Sequence, residues 1–278
     1  MGILISMAED LALYLGFGGL AGILSGMFGI GGGVVIVPFL VWLFAGREFP
    51  PESIMVMAVA TSLATIVVTS VSAVHAHHRR GAVDWATVLR LAPGILVGSV
   101  LGSVIAGHLP VQWFKLIFAL FLLHVAARLL LGTQHDGAHA RTPGRALFAT
   151  AGVGIGALSA LLGIGGGTLS VPFLLKCRYS IRQAVAISSA CGFPIAVAGT
   201  STYAVLGWHK ATLPDWSFGY VYLPAFAGII LTSIPFAPLG AHLAHRLPTI
   251  GLRRVFALLV AFIGCRLLWQ AAQHWIAI

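Results

Sequence analysis

Two stretches of this chain present bare backbone amides where side chains would normally stand. GMFGIGGGVVIVPFL runs from Gly26 to Leu40, and ALLGIGGGTLSVPFL runs from Ala160 to Leu174, 134 residues further on. Glycine tolerates positive φ and lets N–H groups approach a ligand closely, and a helix that starts just after such a turn adds partial positive charge. Gly29, Gly31, Gly32 and Gly33, with Gly163, Gly165, Gly166 and Gly167, are therefore candidate backbone donors to an anion. Pro38 and Pro172 fall in the first turn or two of the helices that follow, where a missing N–H costs least. Hydroxyls at Ser25, Ser159, Thr61, Ser62, Ser188 and Ser189 complete the candidate substrate-binding set. No Lys-Ser/Thr follows the glycines and no βαβ pattern surrounds them, which excludes a P-loop and a dinucleotide fold.

This is chemistry for binding and not for catalysis. No nucleophile–base pair, metal cluster or carboxylate dyad falls within the apolar segments, so the sequence does not read as an enzyme, and no cofactor or metal is expected. All seven acidic residues (Glu9, Asp10, Glu48, Glu52, Asp84, Asp136, Asp215) lie at segment ends or in loops. Cys177, Cys191 and Cys265 lack CxxC spacing and indicate neither a disulfide framework nor a metal site. His75-Ala76-His77-His78-Arg79-Arg80 has the look of a metal tract, but it lacks a carboxylate or thiolate partner and reads as a solvated cytoplasmic loop. His124 lies deep in an apolar segment, where an ionisable group is a candidate proton relay, although its counterpart in the other half is Phe262. Asp84 and Asp215, each after a turn, are expected to cap helix N-termini.

The elements that must position these groups follow from composition. Of the 278 residues, 59% are hydrophobic and only 8% charged, far too few charges to cover a soluble protein of this size. Apolar stretches of spanning length fill the chain, and the short alternating segments of a β-barrel are absent. The expectation is an all-α polytopic membrane protein whose partners are the lipid bilayer and a small solute. The net charge of +9 is dispersed over short loops, which favours membrane orientation over a nucleic-acid partner. No Lys or Arg precedes the first apolar run, so the N-terminus is expected to be retained and not cleaved as a signal peptide.

The chain is built twice. Beyond the glycine word, Ala58–Ala64 (AVATSLA) matches Ala184–Ala190 (AVAISSA), and Leu101–Pro110 (LGSVIAGHLP) matches Leu239–Pro248 (LGAHLAHRLP). Residues 115–130 align without gaps to 253–268. The expected organisation is a first membrane repeat over 1–131, a cytoplasmic linker over 132–145 and a second membrane repeat over 146–278. Each repeat holds one glycine-interrupted segment and three ordinary spans, near 52–75, 85–107 and 110–131, then near 182–206, 217–241 and 249–275. Short helices are expected at about Val34–Ala45 and Thr168–Lys176, and at ~1.5 Å per residue neither crosses ~30 Å of hydrocarbon.

Charge placement decides whether the interrupted segments cross the membrane or turn back. If each crosses once, the 16 Lys and Arg residues divide eight to eight. If each folds back as a hairpin, only Arg47, Lys115, Lys210 and Arg266 lie on one side and the other twelve share the opposite side. The second division obeys the positive-inside rule and the first does not. Hairpins leave an odd number of net crossings per half, so the repeats are inverted, both termini are periplasmic and the two glycine turns face each other near the midplane. Unwound backbone at that depth must be enclosed by protein or line a cavity, the plan of a secondary transporter built on discontinuous helices.

The doubled GxGGG(x)4PFL word, the two four-segment halves and the length resemble the TauE/SafE family of sulfite and organosulfonate exporters, over essentially the whole chain. The resemblance implies a bacterial inner-membrane permease for sulfite or small sulfur-containing anions. The expected function is a secondary transporter, and in particular an exporter, working by alternating access. An anion channel of the same architecture and a permease for a non-sulfur anion are the alternatives, and homo-oligomerisation is compatible with either.

Overall fold

The computed structural model describes residues 2–28, 32–47, 49–131, 144–246 and 249–276. They form ten α-helices: α1 (Gly2–Phe28), α2 (Gly33–Ala45), α3 (Ile54–Arg79), α4 (Trp85–His108), α5 (Val111–Leu131), α6 (Arg145–Leu162), α7 (Gly167–Lys176), α8 (Ile181–Gly207), α9 (Leu223–Arg246) and α10 (Thr249–Ile276). Five stretches are long and apolar enough to cross a bilayer: α3, α4, α5, α8 and Phe256–Gln273 of α10. The two short helices begin one residue before the expected starts, directly on the last glycine of each word. The expected linker over 132–145 lies almost wholly outside the described residues.

Close backbone approach organises the bundle. Methyl groups placed on Gly94, Gly98 and Gly102 of α4 would strike Ala149, Val153 and Ala157 of α6 in turn, so these helices run parallel in near backbone contact. Small residues four apart permit such packing in the membrane, where no hydrophobic drive joins helix to helix. A second interface, between α1 and α9, is matched to it contact by contact. A methyl on Gly18 would lie 2.6 Å from the Ile229 carbonyl oxygen, and one on Gly152 lies 2.6 Å from the Leu91 oxygen. A methyl on Gly22 would meet the Ser233 backbone, and one on Gly156 the Ile95 backbone. Gly18 and Gly22 precede Gly152 and Gly156 by the same 134 residues that separate the glycine words.

Helix directions show that the glycine segments turn back. Gly107 of α4 faces Leu206 of α8 at 2.9 Å, while Gly199 of α8 faces the Ser103 hydroxyl of α4 at 3.4 Å. Thus α8 runs parallel to α4, as α6 does, and α7 between α6 and α8 must return the chain to the side from which α6 set out. In the first half an ion pair from Arg47, just past α2, to Asp10 near the start of α1 closes the corresponding hairpin. Helices α3 and α8 cross at the centre in opposite directions: Gly199 lies beside Leu63, and Gly192 beside Ser70. Every residue from Met55 to Ile66 is buried, so the first half of α3 is the innermost part of the molecule.

The ends of the helices depart from expectation in places. Asp84 caps α4 as expected, accepting from the Ala86 and Thr87 amides, and Thr87 in turn meets the Tyr179 hydroxyl at 2.5 Å. Asp215 caps no helix. The expected span from 217 opens instead with a small antiparallel hairpin, Ser217–Phe218 against Val221–Tyr222, turned by Gly219 at φ 56°, and α9 starts only at Leu223. The hairpin is tied to the bundle by a long-range bond that no local pattern encodes: Tyr222 N–H donates to Thr61 Oγ1 of α3 at 3.0 Å. The histidine tract is helical through Arg79 and not a loop, with His78 accepting from the Trp85 indole. His124 is exposed on α5 and not buried in the bundle.

Candidate functional site

The two glycine turns meet. A methyl on Gly33, the first residue of α2, would fall inside the Gly163 carbonyl oxygen and lie 2.9 Å from Ile164 Cα. Gly163 is hemmed in by Val37 of α2 and Val59 of α3. Of the described glycines of the two words, Gly163 alone takes up the left-handed conformation, at φ 68°. It terminates α6: its own N–H and that of Ile164 both return to the Ser159 carbonyl, the latter at 2.9 Å. Gly32 and Gly166 are right-handed, at φ −62° and −52°, so neither is required for backbone conformation; Gly166 is closely packed by Ile195, Ser170 and the Ser188 carbonyl, whereas a methyl on Gly32 would meet only Ile36.

Both short helices start without a side-chain cap. Gly32 and Gly166 stand at the N-cap positions of α2 and α7 and have no oxygen to offer the first amides. By contrast Asp84 caps α4 and Ser180 closes a capping box with Gln183 on α8. An α-helix leaves its first N–H groups without intrahelical partners, and here no side chain at the N-cap position accepts from them. Gly163–Gly166 are all buried.

The hydroxyls divide into bonded and free. Ser62 Oγ donates to the Gly163 carbonyl at 2.8 Å and so ties α3 to the second turn. Thr61 is occupied by the Tyr222 amide, and Ser189 donates to its own helix at Val185 O, 2.9 Å away. Ser159 and Ser188 are buried with hydroxyls that have no protein partner. Ser170, which sequence reasoning did not single out, is likewise fully buried and unpartnered, and its Oγ lies 3.2 Å from where a methyl on Gly166 would stand. The Ser188 backbone carbonyl is at the same 3.2 Å. Ser25 is half-buried near the end of α1, while Gly29 and Gly31 lie outside the described residues. Gly167 starts α7 and Gly165 faces Ile66 at 3.7 Å.

The signal for Ser170 was present but masked. It stands four residues after Gly166, one helical turn on, and its counterpart in the first word is Ile36, so comparing the words hides it. Gly192 is the other residue missed: across from the turn, a methyl on it would stand in ordinary contact, 3.8 Å from the Gly166 nitrogen and 4.0 Å from Ser70 Cβ. Among the described residues no group of three or more metal-ligating side chains forms. A separate cavity of about 270 Å³ between α1, α2 and α10 has apolar walls with Arg266 and Gln270 at the edge, and contains none of the candidate residues.

The glycine turns are thus enclosed by apolar helices, with the unpartnered hydroxyls of Ser159, Ser170 and Ser188 among the polar groups of the interior. The profile of the sulfite exporter TauE/SafE family matches residues 14–267. A probable membrane transporter protein of Haemophilus influenzae is 36% identical over 258 residues, covering 93% of this chain and 98% of that protein. Probable membrane transporter proteins of Methanocaldococcus jannaschii (27% identical, 91% and 93% covered) and Xylella fastidiosa (29%, 95% and 97%) are similar over nearly their full lengths. No solved structure matches. The chain therefore belongs to the sulfite exporter TauE/SafE family and is a multi-pass membrane transporter of a small molecule.

Proposed function

We propose that this transporter exports a small oxyanion, sulfite or an organosulfonate, across the bacterial inner membrane by alternating access between two inverted repeats, 1–131 and 146–278. The observation that carries the reading is the start of α2 pressed on the second glycine turn at Gly163 and Ile164, beside two short helices that begin without a side-chain cap, with no acidic side chain among the described residues that line the contact. Amides and hydroxyls facing inward without a carboxylate suit an anion, since each helix start contributes roughly half a positive charge. The sulfur chemistry comes from the family name and not from the geometry. Inversion is supported by the opposed crossing of α3 and α8, and by the matched α1–α9 and α4–α6 interfaces. In this reading the linker is cytoplasmic and both termini are periplasmic.

Proteoliposomes loaded with labelled sulfite, taurine, sulfate and acetate test the substrate. Saturable efflux of sulfite or the sulfonate, with counterflow, is the expected result. Single-channel currents would replace the carrier with a channel, and selective acetate flux would remove the sulfur specificity. Labelling of a single cysteine placed in the linker by a membrane-impermeant reagent in intact cells would overturn the orientation.

A further inference from the structure

We propose that a phospholipid with an anionic headgroup binds in the groove between α2 and α10, its phosphate on Arg266 and Gln270 and one acyl chain along the apolar walls. The proposal requires only that the chain spans a membrane, and it stands whatever solute is carried.

The groove, about 270 Å³, is made from one face of each helix. Val34, Pro38 and Val41 of α2, and Val260, Ile263 and Leu267 of α10, recur at the three- and four-residue spacing that lines up side chains on a helix. Phe17 of α1, stacked on Phe39 at 3.7 Å, forms the third wall. The floor is sealed, with Val34 and Val260 buried, while the rim is open, with Phe262 67% and Trp42 53% exposed. A deep apolar groove with its rim exposed on spanning helices faces acyl chains. It starts at Val34, beside the Gly33 that presses on the second glycine turn, and reaches Ala45 eleven residues on, about 16 Å at the α-helical rise. That is the depth of one leaflet, half of ~30 Å of hydrocarbon. Helix directions place the polar end. Helices α1 and α9 are parallel, since Gly18 and Gly22 meet Ile229 and Ser233 in order. Helix α2 turns back along α1, with Phe39 on Phe17 and Arg47 paired to Asp10, and α10 turns back from α9. So α2 and α10 run parallel, and Arg266 and Gln270 fall at the Ala45 end, where the headgroups of that leaflet lie.

Charge selects the occupant. Arg266 stands within Phe256–Gln273, the stretch of α10 long and apolar enough to cross a bilayer. Among the described residues it makes neither an ion pair nor a hydrogen bond, and nor does Gln270 one turn on, whereas Arg47 is committed to Asp10. A guanidinium in a spanning segment without an acidic partner is costly and calls for a counter-ion. A phosphodiester supplies the charge and two oxygens that fit the guanidinium fork, leaving an ester oxygen within reach of the Gln270 amide. An inorganic anion would neutralise Arg266 and leave the walls empty, and an uncharged tail would fill the walls and leave Arg266 unpaired. An anionic lipid does both. A second copy of the chain fits poorly: no acid lines the groove, so a two-fold contact on this face would bring the two Arg266 side chains together without a counter-charge.

The test is native mass spectrometry and thermal melting of the purified full chain in a mild detergent, with phosphatidylglycerol, phosphatidylcholine and inorganic phosphate as probes. Expected are retention of phosphatidylglycerol with a preference of roughly tenfold or more over phosphatidylcholine, and a melting temperature raised by about 5–10 °C at ~100 times the lipid Kd. Inorganic phosphate, having no tail for the walls, leaves the melting temperature unchanged. Absence of retained lipid, or equal retention of the two lipids, overturns the proposal, and equal stabilisation by inorganic phosphate replaces the lipid site with a plain anion site. Arg266→Gln is expected to lose the preference and the shift while melting like the delipidated parent, because its side chain has no partner to lose among the described residues. Leu259→Trp fills the groove from its rim and lowers phosphatidylglycerol retention roughly tenfold or more. Arg90→Gln, at an exposed arginine of α4 outside the groove, keeps the preference. A preference unchanged in Arg266→Gln, or a lipid-free dimer that Leu259→Trp separates, overturns the proposal.

Discussion

The same glycine word is set in two unlike surroundings. In the first half α2 is packed on nearly every side, with Val34, Val37, Leu40 and Phe44 almost inaccessible. Phe44 joins Phe49 and Tyr222 in an aromatic cluster, and the Asp10–Arg47 pair ties its far end to α1. In the second half only Ser170 and Leu174 of α7 are buried. One copy is a plug and the other is a half-covered element whose buried face carries a free hydroxyl. Duplication supplies two equivalent frameworks whose matching positions have diverged, with Ile36 in the first where Ser170 stands in the second.

Substitutions along the two words separate these roles, beginning with the largest effect. Gly33→Ala drives a methyl into the Gly163 carbonyl and is expected to abolish folded protein, or to cost well over about 3 kcal/mol, read as loss of a monodisperse peak and of the thermal transition. Gly32→Ala, one residue away in the same word, meets only the Ile36 side chain at 3.0 Å in a right-handed backbone, and is expected to stay within about 1 kcal/mol of the parent. Equal damage from both would show that the word acts through backbone conformation and not through contact between the turns.

Hydrogen exchange in detergent sharpens the contrast between plug and half-covered helix. Amides of α7 are expected to exchange roughly ten- to hundredfold faster than those of α2, because few buried contacts oppose local opening of α7. Similar protection in both would make the second turn as rigid as the first. Ser62→Ala, which leaves the buried Gly163 carbonyl without its donor, is expected to cost about 1–3 kcal/mol by thermal or denaturant melting while sparing the anion donors. The smallest effects come from the two aspartates that open corresponding spans. Asp84→Ala loses an N-cap and about 1 kcal/mol, whereas Asp215→Ala loses less than about 0.5 kcal/mol, because no helix starts there.

Much of this was legible from residue order. The short helices begin on the last glycine of each word because unwound glycine must give way to the apolar run after it, and Gly33–Ala45 and Gly167–Lys176 differ from the expected bounds by one residue at the start. The turning back of the segments was readable from the placement of Arg and Lys, since charges sort by side of the membrane whatever the packing inside. The hairpin at 217–222 was not readable, because it is anchored by a bond from Tyr222 to Thr61 across 161 residues. The histidine tract was misjudged as a loop for a related reason: α3 holds its helix to Arg79, close to the Trp85 indole that donates to His78.

The site divides along the same line. Sequence alone determined the membrane class and the positions of the two short helices, since apolar length and glycine position are properties of residue order and composition. Tertiary structure alone decided which donors remain. Ser62, Thr61 and Ser189 were equivalent to Ser159 and Ser188 as candidates until packing assigned the first three their partners and left the others without one. Ser170 lies one helical turn after Gly166 by sequence, but only the packing around α7 shows that its hydroxyl is buried without a partner. A polar group's availability depends on what lies across from it, and in a bundle of crossing helices that neighbour is set by contacts far apart in the chain.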